Sequence, residues 1–130
     1  MSDLKSHISV VQSLAPASRT ATANGTGVDL AGFDAATVVL DLGAISGTTP
    51  SFTFEVQESS DNSSFAAVAA ADLDSGQPAA VTAGGAVVEI GYRGIKRYLR
   101  AAVTVVGGTS TPTLLCSATV VRGNPRKLPA

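Results

Sequence analysis

The side chains best suited to nucleophilic catalysis are one histidine and one cysteine, and they lie near opposite ends of the sequence. His7 is close to the amino terminus, and Cys116 is close to the carboxyl terminus. Nucleophilic catalysis requires a base held rigidly beside the nucleophile, and a structural zinc ion requires about four protein ligands. A single histidine in an amino-terminal arm meets neither requirement. We therefore expect no enzymatic activity, no metal site and no cofactor.

Cys116 is better explained as part of a hydrophobic core. Side chains alternate between the two faces of a strand, so Cys116 shares a face with Leu114, Ala118 and Val120. We interpret it as a small buried residue and not as a reactive thiol. As the only cysteine, it can form no disulfide bond within the chain.

An oxygen-rich stretch runs from Glu58 to Asn62, with Asp61 at its centre. Calcium ions favour several oxygen ligands, so a calcium site is one interpretation. Asp and Asn side chains also stabilise tight turns by accepting hydrogen bonds from nearby backbone N–H groups. We favour the turn, in which Asp61 and Asn62 hold a hairpin and Phe65 then enters the core.

Charged residues are segregated along the chain. Residues 20–92 contain nine acidic residues and no Lys or Arg, whereas residues 93–130 contain seven basic residues and no acid. The basic residues are Arg93, Lys96, Arg97, Arg100, Arg122, Arg126 and Lys127. Charge asymmetry of this kind affects association with partners. It suits a protein that contacts copies of itself or a larger acidic assembly; the alternative is that both signs interleave in the folded chain.

Other binding partners fit the composition less well. The cluster from Arg93 to Arg100 could contact phosphate, but DNA-binding domains are usually strongly basic and this chain has a pI of about 5.6. Sugar-binding faces need aromatic platforms, and the chain has Tyr92 and Tyr98 but no Trp. No segment approaches the length of a membrane span. We expect no nucleic-acid and no membrane partner, and we do not favour glycan binding.

The elements that position these residues are predicted to be β-strands. Gly, Asn and Pro clusters such as Gly47–Pro50 and Gly107-Gly108 recur every eight to fifteen residues, and they favour turns. About eight short runs lie between the turns, which predicts an all-β, jelly-roll-like antiparallel sandwich. The runs are Ile8–Leu14, Arg19–Ala23, Thr37–Leu42, Ser51–Glu58, Phe65–Val68, Ala86–Gly91, Arg97–Val106 and Thr113–Val121.

Alternation within two of these runs predicts which side chains face the core. Phe52, Phe54 and Val56 should point inward, while Thr53, Glu55 and Gln57 point outward. Across Ile95–Val105 the predicted inward set is Ile95, Leu99, Ala101, Val103 and Val105, with Arg97 as the exception.

Both ends of the chain are predicted to extend from the sandwich toward partners. We divide the chain into an extended arm (residues 1–16), a sandwich domain (17–122) and a basic tail (123–130). The arm contains apolar residues that could add a strand to a neighbouring sheet. The predicted interface residues are Leu4, Ile8, Val10, Val11, Leu14, Arg93, Lys96, Arg97, Arg100, Arg122, Arg126 and Lys127.

Several stretches carry a resemblance to known families. Val56–Val68 and Ile95–Val105 resemble strands of galactose-binding-like jelly-roll modules. Nearly the whole chain is similar to a family of small virion structural proteins from tailed bacteriophages and prophages. The second likeness is carried by VVQSLAPA (Val10–Ala17), TATANGTGVDLAGFDAATVVLDLGAI (Thr20–Ile45), QESSDNSSF (Gln57–Phe65), GYRGIKRYLRAAVTV (Gly91–Val105) and VVRGNPRKLPA (Val120–Ala130).

The resemblance implies a head-decoration or minor capsid protein on the exterior of a virion. A protein of this kind would form a homo-oligomer, most simply a trimer, and would bridge subunits of the major capsid protein. The alternatives are a virion part at the tail or head–tail junction, and a monomeric jelly-roll module that binds a ligand or glycan.

Overall fold

The computed structural model describes residues 3–130, and almost all of its regular structure is antiparallel β-sheet, which confirms the predicted all-β class. The described residues contain two short 3-10 turns, Lys5–His7 and Ala70–Asp72, and no helix that could span a membrane. The strands are β1 (Ile8–Arg19), β2 (Ala23–Asn24), β3 (Val28–Asp29), β4 (Phe33–Ser59), β5 (Ala66–Ala67), β6 (Ala86–Tyr92) and β7 (Tyr98–Pro125).

The two longest strands, β4 and β7, pair with each other along almost their whole length. The β4–β7 ladder runs from Phe33 opposite Pro125 to Ser59 opposite Tyr98. Its register shifts near the middle, where Gly47 has a φ of 110° and Gly108 has a φ of 109°. Residues with a side chain rarely adopt this conformation, so glycine is the residue that allows both strands to bend here.

The bend divides β4 and β7 into halves that belong to two layers. Layer I contains β6, the first half of β4, the second half of β7 and β1, in that order. Layer II contains β5, the second half of β4 and the first half of β7, with β2 and β3 along the free edge of β7. Buried residues of both layers, such as Leu40 and Phe54, belong to one hydrophobic cluster. The result is a β-sandwich made from one continuous, folded sheet.

Several predicted strands are parts of longer ones. The runs 37–42 and 51–58 both lie in β4, and the runs 97–106 and 113–121 both lie in β7. The turn signals at Gly47 and Gly107 mark bends at which the hydrogen-bonded ladder continues. The predicted strand 19–23 is wrong, because β1 ends at Arg19 and β2 begins at Ala23.

The predicted core faces are correct in β4 and partly wrong in β7. Phe52, Phe54 and Val56 are all buried. In β7 the buried set stops at Val103, and Val105 is exposed because the ladder shifts register between the pairs Thr53–Val105 and Phe54–Val103. A shift of one residue moves the following side chains to the other face of the sheet.

The amino-terminal arm is also corrected, because residues 8–16 are part of the sandwich. They lie in β1, which pairs with β7, and Leu14 is buried in the core. The Ser13 hydroxyl accepts a hydrogen bond from the Ala101 N–H at 3.0 Å and donates to the Thr26 carbonyl at 2.9 Å, so it ties β1 to layer II. Removing residues 1–15 would therefore remove part of the fold.

The carboxyl-terminal tail is shorter than predicted. Gly123, Asn124 and Pro125 are predicted to lie in the tail outside the sandwich, but they complete β7, which pairs with β1 and β4. The Arg126 N–H then donates to the Gly32 carbonyl at 2.9 Å. The sandwich domain consequently extends beyond both of its predicted boundaries.

Replacing Phe52 by Ala tests this packing. The side chain is completely buried, so we expect the free energy of unfolding to fall by about 3–5 kcal/mol. Val105→Ala is the control, because Val105 is exposed and exposed substitutions usually change stability by less than about 0.5 kcal/mol. Urea unfolding measures both. Equal losses in the two variants would contradict the burial of Phe52.

Candidate interaction surfaces

The histidine and the cysteine lie apart in the folded chain. Cys116 is buried in the core, and burial raises the pKa of its thiol. His7 is exposed, and its ring Nδ1 lies 2.8 Å from the Asp3 carbonyl oxygen. In the β1–β7 ladder, Cys116 lies opposite Ala17. Ile8, which follows His7 in the sequence, lies opposite Gly123, so His7 and Cys116 are at different positions along the ladder. Within residues 3–130, no group of three or more His, Cys, Asp or Glu side chains is arranged to hold a metal ion.

The turn predicted at Asp61 is present. Its Oδ1 accepts hydrogen bonds from the backbone N–H groups of Ser63 and Ser64, both at 3.0 Å, and from the Ser59 hydroxyl at 2.8 Å. These donors, with Ser64 the strongest, lower the pKa of Asp61 to about 2. The Asn62 part of the prediction is wrong among the described residues, because Asn62 contributes a left-handed backbone with a φ of 59° and no side-chain hydrogen bond to the turn. Oδ1 of Asp61 is therefore engaged in hydrogen bonds within the turn.

Phe65 does not enter the core as predicted. It is half-buried and is absent from the core cluster, and the Arg100 guanidinium lies 4.0 Å from its ring centroid. Arg100 also donates from Nε to the Gln57 side-chain oxygen at 2.7 Å. The adjacent core position is filled by Val68. Phe65 and Arg100 thus form a stacked pair outside the core, and Arg100 is not a free interface cation.

Three more predicted interface cations have partners within the chain. Arg97 makes a two-pronged contact with Asp29, with distances of 2.9 and 2.8 Å, and this contact lowers the pKa of Asp29 to about 2. Arg126 contacts Asp34 at 3.0 Å. Arg122 donates to the Asp29 carbonyl at 2.9 Å and lies over the Phe33 ring. The two signs of charge therefore interleave in part.

Arg93 and Lys96 remain exposed, and no ion pair involves them within residues 3–130. They flank Gly94 and Ile95, and Ile95 is 96% exposed. We call Arg93–Lys96 the cationic loop. Its backbone is fixed, because the Tyr92 hydroxyl accepts a hydrogen bond from the Lys96 N–H at 3.1 Å and the Arg93 N–H donates to the Asp72 carbonyl at 2.6 Å. The loop presents an isoleucine between two cations to solvent.

The outer side of layer I has the opposite character. Within residues 86–91, 37–43, 114–121 and 8–18 of its four strands, the charged residues are Asp41 and Glu89, and the ends of these strands add Arg19, Asp34 and Arg122. Asp41 and Glu89 are both exposed. The β4–β6 register pairs Asp41 with Val87 and Val39 with Glu89, so all four lie on the side opposite the core. We call the outer side of layer I the acidic face; its exposed apolar residues are Val10, Val87 and Leu115.

The predicted amino-terminal interface residues differ in exposure. Leu4 and Val10 are exposed, whereas Ile8 and Val11 are half-buried. Leu14 is buried in the core and cannot contact a partner. At the other end of the chain, Lys127 is exposed. Of the amino-terminal set, Leu4 and Val10 have the most surface left for a partner.

An open depression of about 420 Å³ lies next to the cationic loop. Its lining includes Phe33, Tyr92, Ile95, Lys96 and Arg126. Tyr92 is almost buried, and burial together with the hydrogen bond to Glu58 raises the pKa of its hydroxyl. Its ring therefore offers little surface on which a sugar could stack.

The sequence pattern missed two features of these surfaces. Ile95 fits the inward alternation of Ile95–Val105, but β7 begins only at Tyr98, and Ile95 is 96% exposed and does not face the core. The acidic face depends on the register between β4 and β6, which alternation within each strand does not specify. The absence of Lys and Arg from residues 20–92 could have indicated that one face of the sheet is acidic.

Comparisons of the chain with protein-family models, curated proteins and solved structures found no match. The case for a function therefore comes from the surfaces described above and from the sequence.

Replacing Phe65 by Ala tests its position outside the core. We expect the free energy of unfolding to fall by about 1–2 kcal/mol, because a cation–π contact and partial burial are lost. Phe54→Ala is the matched control, since Phe54 is buried and its loss should cost about 3–5 kcal/mol. Chemical denaturation measures both. An equal loss for Phe65 would place its ring in the core.

The pH dependence of stability tests the turn. A carboxylate with a lowered folded pKa stabilises the fold above its unfolded pKa, and this contribution is lost as the pH falls through the folded value. The pKa of Asp61 is lowered from 3.8 to about 2, so we expect wild-type stability to fall between about pH 4 and about pH 2. Asp61→Asn should lose less over that window. The pKa of Asp29 is also lowered to about 2, so the contribution of Asp61 is the difference in stability between wild type and Asp61→Asn. Thermal unfolding as a function of pH measures both proteins. Parallel curves of melting temperature against pH would contradict the prediction.

Proposed function

We propose that this chain is a non-enzymatic structural protein that acts by binding copies of itself and neighbouring subunits of a larger assembly. The observation that supports this most is the acidic face. A four-stranded layer exposes Val10, Val87 and Leu115 together with two carboxylates that have no ion-pair partner within residues 3–130. A face with few charged residues resembles the core of a protein–protein interface, in which charged residues are depleted.

The size of the face indicates what it can support alone. Four strands about 4.8 Å apart and about six residues of about 3.3 Å each give a footprint of about 400 Å². A standard protein interface buries about 800 Å² on each partner. The acidic face is therefore about half of a standard interface, so a stable contact must also bury surface outside it.

Within this function, we place the protein on the exterior of a virion as a capsid decoration or minor head protein. The support is the resemblance of the sequence to small tailed-phage virion proteins. The protein would form a trimer and would bridge subunits of the major capsid protein, so that the added interface area stiffens the shell. Leu4, Val10 and Lys127 are exposed and are candidates for contacts with the capsid.

The alternative function is a monomeric module that binds a ligand or glycan. The depression of about 420 Å³ is the feature that favours it. Two of the cations that line the depression argue against ligand binding, because Arg97 forms an ion pair with Asp29 and Arg126 forms one with Asp34. The near-burial of Tyr92 removes the main aromatic platform. We therefore favour the structural function.

The mass of the purified protein in solution separates the two functions. Sedimentation equilibrium at tens of micromolar should give about three times the chain mass of 13.0 kDa. Particles released from lysed cells of the native host should carry the protein through a density gradient. A mass of one chain together with absence from every particle fraction would contradict the structural function and favour the monomeric module.

A further inference from the structure

We propose that the cationic loop of one copy binds the acidic face of a second copy, with Ile95 against Val39 and Val87, and with Arg93 and Lys96 against Asp41 and Glu89. This contact rests on the proposed self-association and specifies the surfaces that form it.

The loop has the properties of a contact site. Ile95 is 96% exposed, so residues 3–130 leave its apolar surface uncovered. The hydrogen bonds that Tyr92 and Asp72 make to the backbone hold the loop in place. A loop that is already ordered loses less conformational entropy on binding. Arg93 and Lys96, on either side, have no ion pair among the described residues.

The acidic face has matching properties. Val39 and Val87 lie diagonally to each other in the β4–β6 register, as do Asp41 and Glu89. Diagonal neighbours in an antiparallel pair are about 7–8 Å apart. Arg93 and Lys96 are three positions apart in the sequence, so their Cα atoms are at most about 10 Å apart. Their long side chains can therefore reach both carboxylates while Ile95 contacts the valines between them.

The loop and the face do not satisfy each other within one chain. The in-chain ion pairs of the described residues join Arg97 to Asp29 and Arg126 to Asp34. The loop begins where β6 ends, beyond Tyr92, whereas Asp41 and Glu89 lie within the β4–β6 ladder. The complementary charges are therefore left for a second copy.

The arrangement also agrees with a cyclic oligomer. The loop and the face are different patches, so a one-way contact between copies is heterologous. Contacts of this type form a ring when the rotation closes and a filament when it does not. A trimeric ring would use each loop and each face once.

Charge reversal tests the contact. The loop variant is Arg93→Glu with Lys96→Glu, and the face variant is Asp41→Lys with Glu89→Lys. Each places like charges opposite each other, and we expect self-association to weaken at least about 10-fold. The chain with all four substitutions restores opposite charges and should regain association. Association of the wild type should weaken as NaCl rises from about 50 mM to about 500 mM.

Two single substitutions complete the test: Glu55→Lys controls for the change in net charge, and Ile95→Ser tests the apolar part of the contact. Glu55→Lys makes the same charge change as Glu89→Lys but lies outside the proposed contact, so it should leave association unchanged. Ile95→Ser alters a side chain that is 96% exposed, so the fold should be unaffected while association weakens about 10-fold. Circular dichroism and thermal unfolding verify the fold of every variant, and sedimentation velocity measures association.

The possible outcomes distinguish the contact from the proposed function. Loss in the loop, face and Ile95 variants with recovery in the fourfold variant supports the contact. A wild-type oligomer that is unchanged by these variants, or a fourfold variant that does not recover, overturns the contact and leaves self-association standing. A monomeric wild type at every concentration overturns both.

Discussion

The ladder between β4 and β7 is the interaction on which both sheet layers depend. It runs from the pair Phe33–Pro125 to the pair Ser59–Tyr98, and the strands bend together near Gly47 and Gly108. Each layer therefore has one half of β4 and one half of β7 as its two central strands. The strands β1 and β6 and the short strands form the edges. Because the layers share β4 and β7, the core cannot form in one layer without the other.

The fold also explains where the charges lie. The bend brings both ends of the ladder together, so that Arg126, just after β7, and Lys96, just before it, line the same depression. Two acids, Asp29 and Asp34, neutralise part of this cationic end. The strands of layer I carry few charges, and Asp41 and Glu89 remain exposed on its outer face. Ion pairs within the chain thus cancel part of the segregation, and Arg93, Lys96, Asp41 and Glu89 remain exposed without an ion pair among residues 3–130.

Much of the fold was predictable from the sequence, because the alternation of apolar and polar residues along a strand indicates which of its faces is buried. The buried face of Phe52, Phe54 and Val56 and the turn at Asp61 follow from side-chain period and turn chemistry. The continuity of β4 and β7 was not predictable, since glycine signals a bend whether or not the ladder continues. The exposed loop around Ile95 and the pairing of β1 with β7 depend on long-range register, which a local pattern does not contain. Of the candidate surfaces, the sequence therefore predicted Arg93 and Lys96 as interface cations but not the exposed Ile95 between them or the acidic face.

The contact between copies is tested most directly by a disulfide bond across it. One variant carries Ile95→Cys and a second carries Val87→Cys, and the native Cys116 is buried and protected from reaction. Cβ atoms must approach to about 3.5–4.5 Å for the bond to form. When the two variants are mixed and mildly oxidised, a cross-linked dimer should form rapidly in the mixture and much more slowly in either variant alone. If mixing gives no more cross-linked dimer than the separate variants give, the loop of one copy does not bind the acidic face of another.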